Sequence, residues 1–255
     1  MGSKVLILGG TTEARELGEA LRDRPDLDVR LSLAGRTQQI TEQAVPVRIG
    51  GFGGVEGLED YLRLEGVAAV VDATHPYARI ISHHAIEAAA QAGLPFLALR
   101  RGPWPRVAGD RWVEVPDVSA AVGALGEAPR RVFLALGRKE LAPFAAAPQH
   151  TYLIRSVDPV DPPLAVPRAS YLVARGPFDP AGEAALLVEH EIERVVSRNS
   201  GGSAAYGKIA AARDLGVAVV LIQRPALPET PSVGTVEEAV RWVDHVVPRP
   251  TARGV

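Results

Sequence analysis

The stretch that decides the fold is Val5-Leu6-Ile7-Leu8-Gly9-Gly10-Thr11-Thr12-Glu13-Ala14-Arg15. An apolar run typical of a buried strand ends in two glycines, and two threonines precede a stretch of helix-forming residues. In α/β proteins this succession exposes a helix N-terminus whose unpaired backbone N–H groups bind phosphate. The third glycine of the dinucleotide fingerprint G-x-G-x-x-G is missing. The turn therefore predicts a nucleotide or another anion, and it equally fits a capped helix with Thr11 or Thr12 as N-cap.

The composition is that of an ordinary globular protein. The 255 residues are 47% hydrophobic and 23% charged, which suffices for one large or two small domains. A net charge of -2 gives no basic field for nucleic acid, and the absence of cysteine excludes disulfides and thiolate metal sites. Apolar runs fall short of the roughly 18 residues that span a bilayer. We expect a cytoplasmic protein without membrane or nucleic-acid partners.

Strand-like and helix-like segments alternate along the chain, which predicts parallel sheets covered by helices on both faces. Residues 1–100 are predicted to form an N-terminal Rossmann-like lobe that contains this nucleotide-binding turn, and residues 131–247 a C-terminal Rossmann-like lobe. Residues 101–130, which begin with a segment rich in Pro, Trp and Arg, are predicted to cross between the lobes. Residues 248–255 are predicted to be a disordered tail. The predicted class is α/β with mainly parallel sheets.

Two further strand ends add to the first turn. Ser32-Leu33-Ala34-Gly35-Arg36 ends the second strand without the acidic residue that favours NAD, and an arginine at this position accommodates the extra phosphate of NADP. Taken alone, Arg36 also fits an exposed loop. The segment Asp72–Ala78 follows another apolar strand, and Pro76 holds His75 and Tyr77 rigidly. His75 is a candidate acid or base, or a cofactor contact. The histidine spacing does not favour a zinc site, and no metal is predicted.

A second candidate anion site lies later in the chain. Ser197-Arg198-Asn199-Ser200-Gly201-Gly202 leads into a helix that carries Tyr206, Lys208 and Arg213, and Gly137-Arg138-Lys139-Glu140 follows another strand. A capped turn with solvated charges is the simpler alternative. A chain of net charge -2 that gathers cations at strand ends nevertheless fits a multiply anionic ligand.

Taken together, these motifs resemble the precorrin-6A reductase family of cobalamin biosynthesis, which includes cobalt-precorrin-6A reductases. The resemblance runs from about residue 4 to residue 245, and the motifs occur in order at familiar spacing. Each motif is weak alone, and the set is specific. The matching segments are Leu8–Arg15, Ser32–Arg36, Ile49–Gly54, Asp72–Ala78, Arg198–Gly202, Lys208–Arg213 and Arg224-Pro225.

The resemblance implies two Rossmann-like lobes with a cleft between them and an NADPH-dependent reduction of one double bond of precorrin-6A to give precorrin-6B. The implied partner is an anionic tetrapyrrole, whose acetate and propionate groups need clustered Arg and Lys. The implied NADPH-binding residues are Gly9, Gly10, Thr11, Thr12, Glu13, Ala14, Gly35, Arg36, His75, Pro76, Tyr77 and Ala78. The implied substrate-binding residues are Arg15, Arg138, Lys139, Arg198, Asn199, Ser200, Gly201, Gly202, Lys208 and Arg213.

The candidate catalytic residues are Lys208, Arg15 and Tyr206. The proton donor is left open between Lys208, Tyr206 and water, and a cationic Lys208 is expected chiefly to hold a substrate carboxylate. Three alternatives stay open: a cobalt-containing substrate, a dinucleotide-binding module without chemistry, and a nucleotide-dependent transferase. The last is disfavoured because no P-loop sequence is present. A monomer or weak homodimer is expected.

Overall fold

The computed structural model describes residues 2–35 and 42–247 and divides the chain into two compact units. Unit 1 combines Met1–Arg101 with Ala226–Val255, and unit 2 is Gly102–Pro225. Within the described ranges, no helix is long and apolar enough to cross a membrane.

Twelve strands are assigned in the described residues. They are β1 (Ser3–Leu8), β2 (Leu27–Leu33), β3 (Val47–Ile49), β4 (Val67–Asp72), β5 (Phe96–Leu99), β6 (Trp112–Val115), β7 (Arg131–Ala135), β8 (Thr151–Ser156), β9 (Ala169–Val173), β10 (Arg194–Arg198), β11 (Ala218–Ile222) and β12 (Ser232–Val233).

Seven α-helices connect these strands in the same part of the chain. They are α1 (Thr12–Leu21), α2 (Val55–Leu64), α3 (Arg79–Ala92), α4 (Val118–Ala124), α5 (Pro180–Glu189), α6 (Gly207–Asp214) and α7 (Val236–Val246). Two short 3₁₀ turns, Arg138–Glu140 and Ala142–Ala146, follow β7.

Unit 1 contains a parallel sheet in the order β12-β5-β4-β1-β2-β3. Alternate residues of β1 enter different cores: Val5 and Ile7 pack on the face covered by α1 and α7, and Leu6 and Leu8 on the face covered by α2 and α3. Both faces are therefore buried, as the continuous apolar strand predicted. The strand order is the 3-2-1-4-5-6 order of dinucleotide-binding folds, with its switch point between β1 and β4.

Unit 2 repeats this plan with a parallel sheet in the order β6-β11-β10-β7-β8-β9. Its switch point lies between β7 and β10, and its sixth strand, β6, precedes the other five in the chain. The predicted class, α/β with two Rossmann-like lobes of parallel strands, is confirmed.

The structure divides the chain differently from the predicted boundaries. Residues 226–247 lie in unit 1 rather than in the second lobe, because β12 pairs with the outer edge of β5 and α7 buries Ala239 and Val243 in the same core as α1. Residues 102–130 belong to unit 2, where β6 pairs with β11. Both strands are short edge strands, so their local pattern gave little indication of them. The predicted tail, 248–255, lies outside the described residues.

Candidate functional site

The turns at the switch point of unit 1 lie side by side. All strands of this sheet are parallel, so their carboxyl ends meet at one edge, and Leu8 of β1 pairs with Asp72 of β4. The Thr11 hydroxyl donates to the carbonyl oxygen of Ala73 at 2.7 Å and so fixes the first turn to the end of β4. The structure thus brings together two motifs that the sequence analysis treated separately.

The turn after β1 exposes a helix N-terminus. Thr11 is the N-cap of α1, since its Oγ1 accepts from the N–H of Ala14 at 3.1 Å. Within the described residues, the N–H groups of Thr12 and Glu13 donate no hydrogen bond. Gly10 has φ of +112°, and nothing lies within 4 Å of the position a Cβ would take, so the space beside the turn is open. The capping role and anion binding are therefore compatible here.

The other predicted residues of the turn after β1 and the start of α1 differ in their burial and their contacts. A Cβ on Gly9 would lie 2.5 Å from Cδ1 of Leu31, so this glycine permits close packing of the turn on β2. Ala14 is fully buried. The Glu13 carboxylate pairs with Arg101, which offsets its charge beside the candidate anion site. Arg15 is about half exposed and lies 4.0 Å from Glu16.

A buried carboxylate, Asp72, organises the turn after β4. Its Oδ1 accepts from the N–H and the hydroxyl of Thr74 at 3.1 and 2.6 Å, and its Oδ2 lies 3.3 Å from the Arg100 guanidinium. Asp72 is completely buried, which requires such a partner. Neither Asp72 nor Arg100 was assigned a role from sequence, although an acid ending the run Val70-Val71 was a visible indication.

The segment His75–Ala78 forms a tight turn before α3. The N–H of Ala78 donates to the carbonyl oxygen of His75 at 2.7 Å, and the N–H of Tyr77 donates to Nδ1 of His75 at 3.3 Å. Pro76 is buried and the other three residues are partly exposed. Gly35 follows β2 at the same edge, and Arg36 lies outside the described residues.

The switch point of unit 2 brings the turn after β7 next to the turn after β10. Arg198 lies 3.5 Å from the Glu140 carboxylate, which in turn accepts from the N–H of Gly137. Arg138 contacts Asp158 and the carbonyl oxygen of Pro159. Lys139 is exposed and forms no ion pair in the part of the chain that the structure describes.

The turn from Arg198 to Gly202 is tied to its surroundings by Asn199. The Asn199 amide accepts from the N–H of Trp104 at 2.7 Å and donates to its carbonyl oxygen at 3.3 Å. Arg224 donates to the carbonyl oxygens of Asn199, Ser200 and Gly102 at 2.9 to 3.0 Å. Asn199 was predicted to bind substrate, whereas in the structure its side chain forms hydrogen bonds with the Trp104 backbone.

Gly201 permits the close approach of two segments. It has φ of +66°, and a Cβ there would lie 2.0 Å from the carbonyl oxygen of Gly102. Beside this contact, a pocket of about 320 Å³ is lined by Trp104, Trp112 and Leu221 together with polar side chains that include Arg106, Glu114 and Gln223.

Lys208, near the start of α6, is the most unusual ionisable group of unit 2. It is only 4% exposed, and its Nζ donates to the carbonyl oxygen of Ala205 at 2.6 Å. The Nζ atom lies 5.1 Å from the centre of the Trp104 ring. Burial, reinforced by the positive charge of Arg155, lowers the pKa of Lys208 to about 7. A lysine of this kind exchanges protons near neutral pH.

A buried ion pair lies close to Lys208. Arg155 at the end of β8 binds both carboxylate oxygens of Glu183 on α5, and the side chains are 8% and 5% exposed. The Arg155 guanidinium also lies 3.6 Å from the centre of the Phe178 ring. Sequence analysis missed both residues, and the only indication was a charged residue after the apolar run 152–154.

Two other predicted residues, Tyr206 just before α6 and Arg213 on it, contact each other. Arg213 donates to the hydroxyl of Tyr206 and pairs with the buried carboxylate of Asp110 at 2.8 Å. This ion pair compensates the charge that was predicted to bind substrate. No group of three or more potential metal ligands occurs among the described residues.

Comparison with known proteins identifies the family. The family model described as precorrin-6x reductase CbiJ/CobK matches residues 4–244, nearly the whole chain. The chain belongs to the CbiJ/CobK family. A solved structure titled "CobK precorrin-6A reductase" is 49% identical, with a TM-score of 0.92, and the match covers 99% of this chain and 100% of that one.

Curated relatives within the CbiJ/CobK family agree with this assignment. The precorrin-6A reductase of Sinorhizobium sp is 52% identical over 95% of this chain and 93% of the relative. That of Rhodobacter capsulatus is 50% identical over 99% and 100%. The cobalt-precorrin-6A reductase of Priestia megaterium is 27% identical over 92% and 96%. The resemblance inferred from the motifs is thus confirmed at the level of the family.

The CbiJ/CobK motifs predicted from sequence fall into the two units as follows. Arg15 and the predicted NADPH-binding residues other than Arg36 lie at the switch point of unit 1 or next to it. The predicted substrate-binding residues from Arg138 to Arg213 lie in unit 2. The individual ligand assignments stay predictions. Trp104 was not singled out from sequence, because it lies in a segment without regular structure.

Proposed function

We propose that this protein reduces precorrin-6A with NADPH to give precorrin-6B in cobalamin biosynthesis. Family membership supports a precorrin reductase. The relatives named precorrin-6A reductase are 42–52% identical, whereas those named cobalt-precorrin-6A reductase are 25–27% identical. This difference favours the metal-free substrate over its cobalt form.

One observation carries the cofactor assignment: the open N-terminus of α1 at the switch point of unit 1. The N–H groups of Thr12 and Glu13 donate to no described residue, and open space adjoins Gly10. This arrangement fits a pyrophosphate, which the helix dipole also attracts. Gly9–Ala14, Gly35 and His75–Ala78 would hold the cofactor, and Arg36 would bind the 2′-phosphate that distinguishes NADPH from NADH.

Bound NADPH would supply the hydride for one carbon of the precorrin double bond and would itself be oxidised to NADP⁺. The neighbouring carbon then needs one proton. Lys208 is the residue we assign to this proton, because its ammonium is buried and its pKa is lowered to about 7. These properties favour proton transfer over the carboxylate-binding role first expected of Lys208.

The cations of unit 2 would bind the acidic side chains of the tetrapyrrole. Arg198 and Lys139 are suited to this role, since guanidinium and ammonium groups bind carboxylates by charge-assisted hydrogen bonds. Arg213 and Asn199 would support the substrate site without binding the substrate themselves. The Arg213 side chain already pairs with Asp110, and the Asn199 side chain already binds the Trp104 backbone. Arg15 stays a candidate substrate ligand of unit 1.

Binding measurements test the cofactor and the role of Lys208 separately. Titration with NADPH, NADH and ATP, followed by nicotinamide fluorescence and calorimetry, should give tight binding of NADPH alone. Lys208→Ala should slow turnover at least about 100-fold, the usual range for general acid catalysis, and leave the Kd of NADPH near its wild-type value. Loss of NADPH binding in this variant would contradict the assignment of Lys208. Binding of ATP without NADPH would end the proposal.

A further inference from the structure

Trp104 has contacts that its irregular surroundings did not predict. It is 6% exposed, and its indole N–H donates to the carbonyl oxygen of Gly202 at 2.8 Å. Its backbone N–H and carbonyl both bind the Asn199 amide. The centre of its ring lies 5.1 Å from Nζ of Lys208 and 5.8 Å from the centre of the Tyr206 ring. Trp104 therefore connects the turn from Arg198 to Gly202 with the first residues of α6.

The charged groups that act on Lys208 come from three other elements. Arg155 of β8 and Arg198 of β10 repel its ammonium, and Glu183 of α5 attracts it. Since Arg155 and Glu183 neutralise each other in a buried pair, the exclusion of water is the largest influence on Lys208. The Trp104 ring is the large aromatic surface against Nζ, so it contributes directly to this exclusion.

Building on the proposed function, we propose that Trp104 is a positioning residue for proton transfer: it encloses Lys208 and fixes the ammonium beside the turn from Arg198 to Gly202. Two features of the indole act in different ways. The N–H fixes the ring to Gly202, and the ring face keeps water from Nζ. An aromatic ring within about 6 Å also favours a cation, but the lowered pKa of Lys208 means that burial outweighs this attraction.

Loss of the Trp104 ring should raise the pKa of Lys208. Water would then reach Nζ and stabilise the charged form. In Trp104→Leu we expect the pKa to rise from about 7 by at least one unit, toward the 10.5 of an exposed lysine. Trp104→Phe keeps an aromatic face and loses only the N–H, so the pKa should move by less than half a unit.

The composition makes a direct measurement simple, since Lys4, Lys139 and Lys208 are the only lysines of the chain. Protein labelled with ¹³C at lysine Cε gives three signals, which Lys4→Arg and Lys139→Arg assign by loss of one signal each. Titration of the Lys208 signal between pH 5 and 11 reports its pKa without substrate or cofactor. The whole 255-residue chain is used throughout.

Trp112→Leu is the matched control. Trp112 belongs to the same apolar core of unit 2 and is 7% exposed, whereas the ring that lies over Nζ in the described residues is that of Trp104. This variant should leave the Lys208 signal within half a unit of wild type. If Trp104→Leu fails to fold, Asn199→Ala, which releases the Trp104 backbone, should raise the pKa in the same direction.

Several results would overturn the inference: a Lys208 pKa near 10 in the wild type, an unchanged pKa in Trp104→Leu, or an equal rise in Trp112→Leu. The pH at which turnover is half-maximal should move with the Lys208 signal across these variants. If the signal moves and the wild type does not reduce precorrin-6A, the proposed function fails and the role of Trp104 in enclosing Lys208 stands.

Discussion

Replacement of Lys208 by methionine should stabilise the protein at neutral pH. Burial lowers the pKa of Lys208 from 10.5 to about 7, so the unfolded chain binds this proton more tightly than the folded one across that interval. Through proton linkage, this difference between the folded and unfolded pKa values lowers the free energy of unfolding by about 4 kcal/mol at pH 7 and by about 1 kcal/mol at pH 10. Methionine has a similar length and no charge, so it removes this destabilising contribution.

The substitution also removes a hydrogen bond. Nζ donates to the carbonyl oxygen of Ala205 at 2.6 Å, and leaving that oxygen unpaired costs about 2 kcal/mol. The net expectation for Lys208→Met is a free energy of unfolding that is higher by about 2 kcal/mol at pH 7 and lower by about 1 kcal/mol at pH 10. Urea denaturation at both pH values, followed by circular dichroism, measures the two numbers.

The sign change with pH is the decisive feature of this experiment. Lys139→Met is the control, because Lys139 is exposed and forms no ion pair among the described residues. Its effect should be small and the same at both pH values. If Lys208→Met destabilised the protein equally at pH 7 and pH 10, Lys208 would be charged in the folded state at pH 7, and its burial would not lower its pKa.

Three further predictions concern other contacts. Gly9→Ala should lower the free energy of unfolding in urea by about 1–3 kcal/mol and weaken NADPH binding, because the new Cβ would meet Leu31. Gly51→Ala is the control and should leave stability unchanged, since nothing lies within 4 Å of a Cβ at that position. Equal losses in both variants would contradict the packing argument. Asp72→Ala should lower the free energy of unfolding in urea by about 3–5 kcal/mol, because it leaves Arg100 without its buried partner. A loss below about 1 kcal/mol would contradict a structural role for this ion pair. Glu183→Gln should lower the Lys208 pKa further, since Glu183 favours the charged lysine, and a rise in the ¹³C titration would contradict it.

Much of the fold follows from local pattern. The alternation of apolar strand-like segments with helix-like segments predicted the parallel sheets and covering helices that the structure contains. The membership of α7 and β12 in unit 1 does not follow from such patterns. It depends on the pairing of Ser232 and Val233 with β5 and on packing against α1, which are contacts between distant parts of the chain.

The turns that form the candidate site could be identified in the sequence, but the contacts of their side chains could not. The motifs after β1, β4 and β10 were identified because glycines and polar residues follow apolar strands. Whether each side chain is free, paired or buried depends on partners that the sequence does not reveal. Asn199 binds the Trp104 backbone and Arg213 binds Asp110, whereas Lys208 is buried near Arg155. Partners so far apart in sequence were beyond local analysis.

The stoichiometry of a single turnover shows whether this protein reduces precorrin-6A with NADPH. Under anaerobic conditions, protein, NADPH and precorrin-6A are mixed, and NADPH absorbance is followed while the product is analysed by mass spectrometry. We expect one NADPH to be consumed for each precorrin-6A and a product heavier by two hydrogens. The cobalt form and NADH should each react more slowly. Precorrin-6A that is left unreduced while NADPH binds tightly would contradict the account.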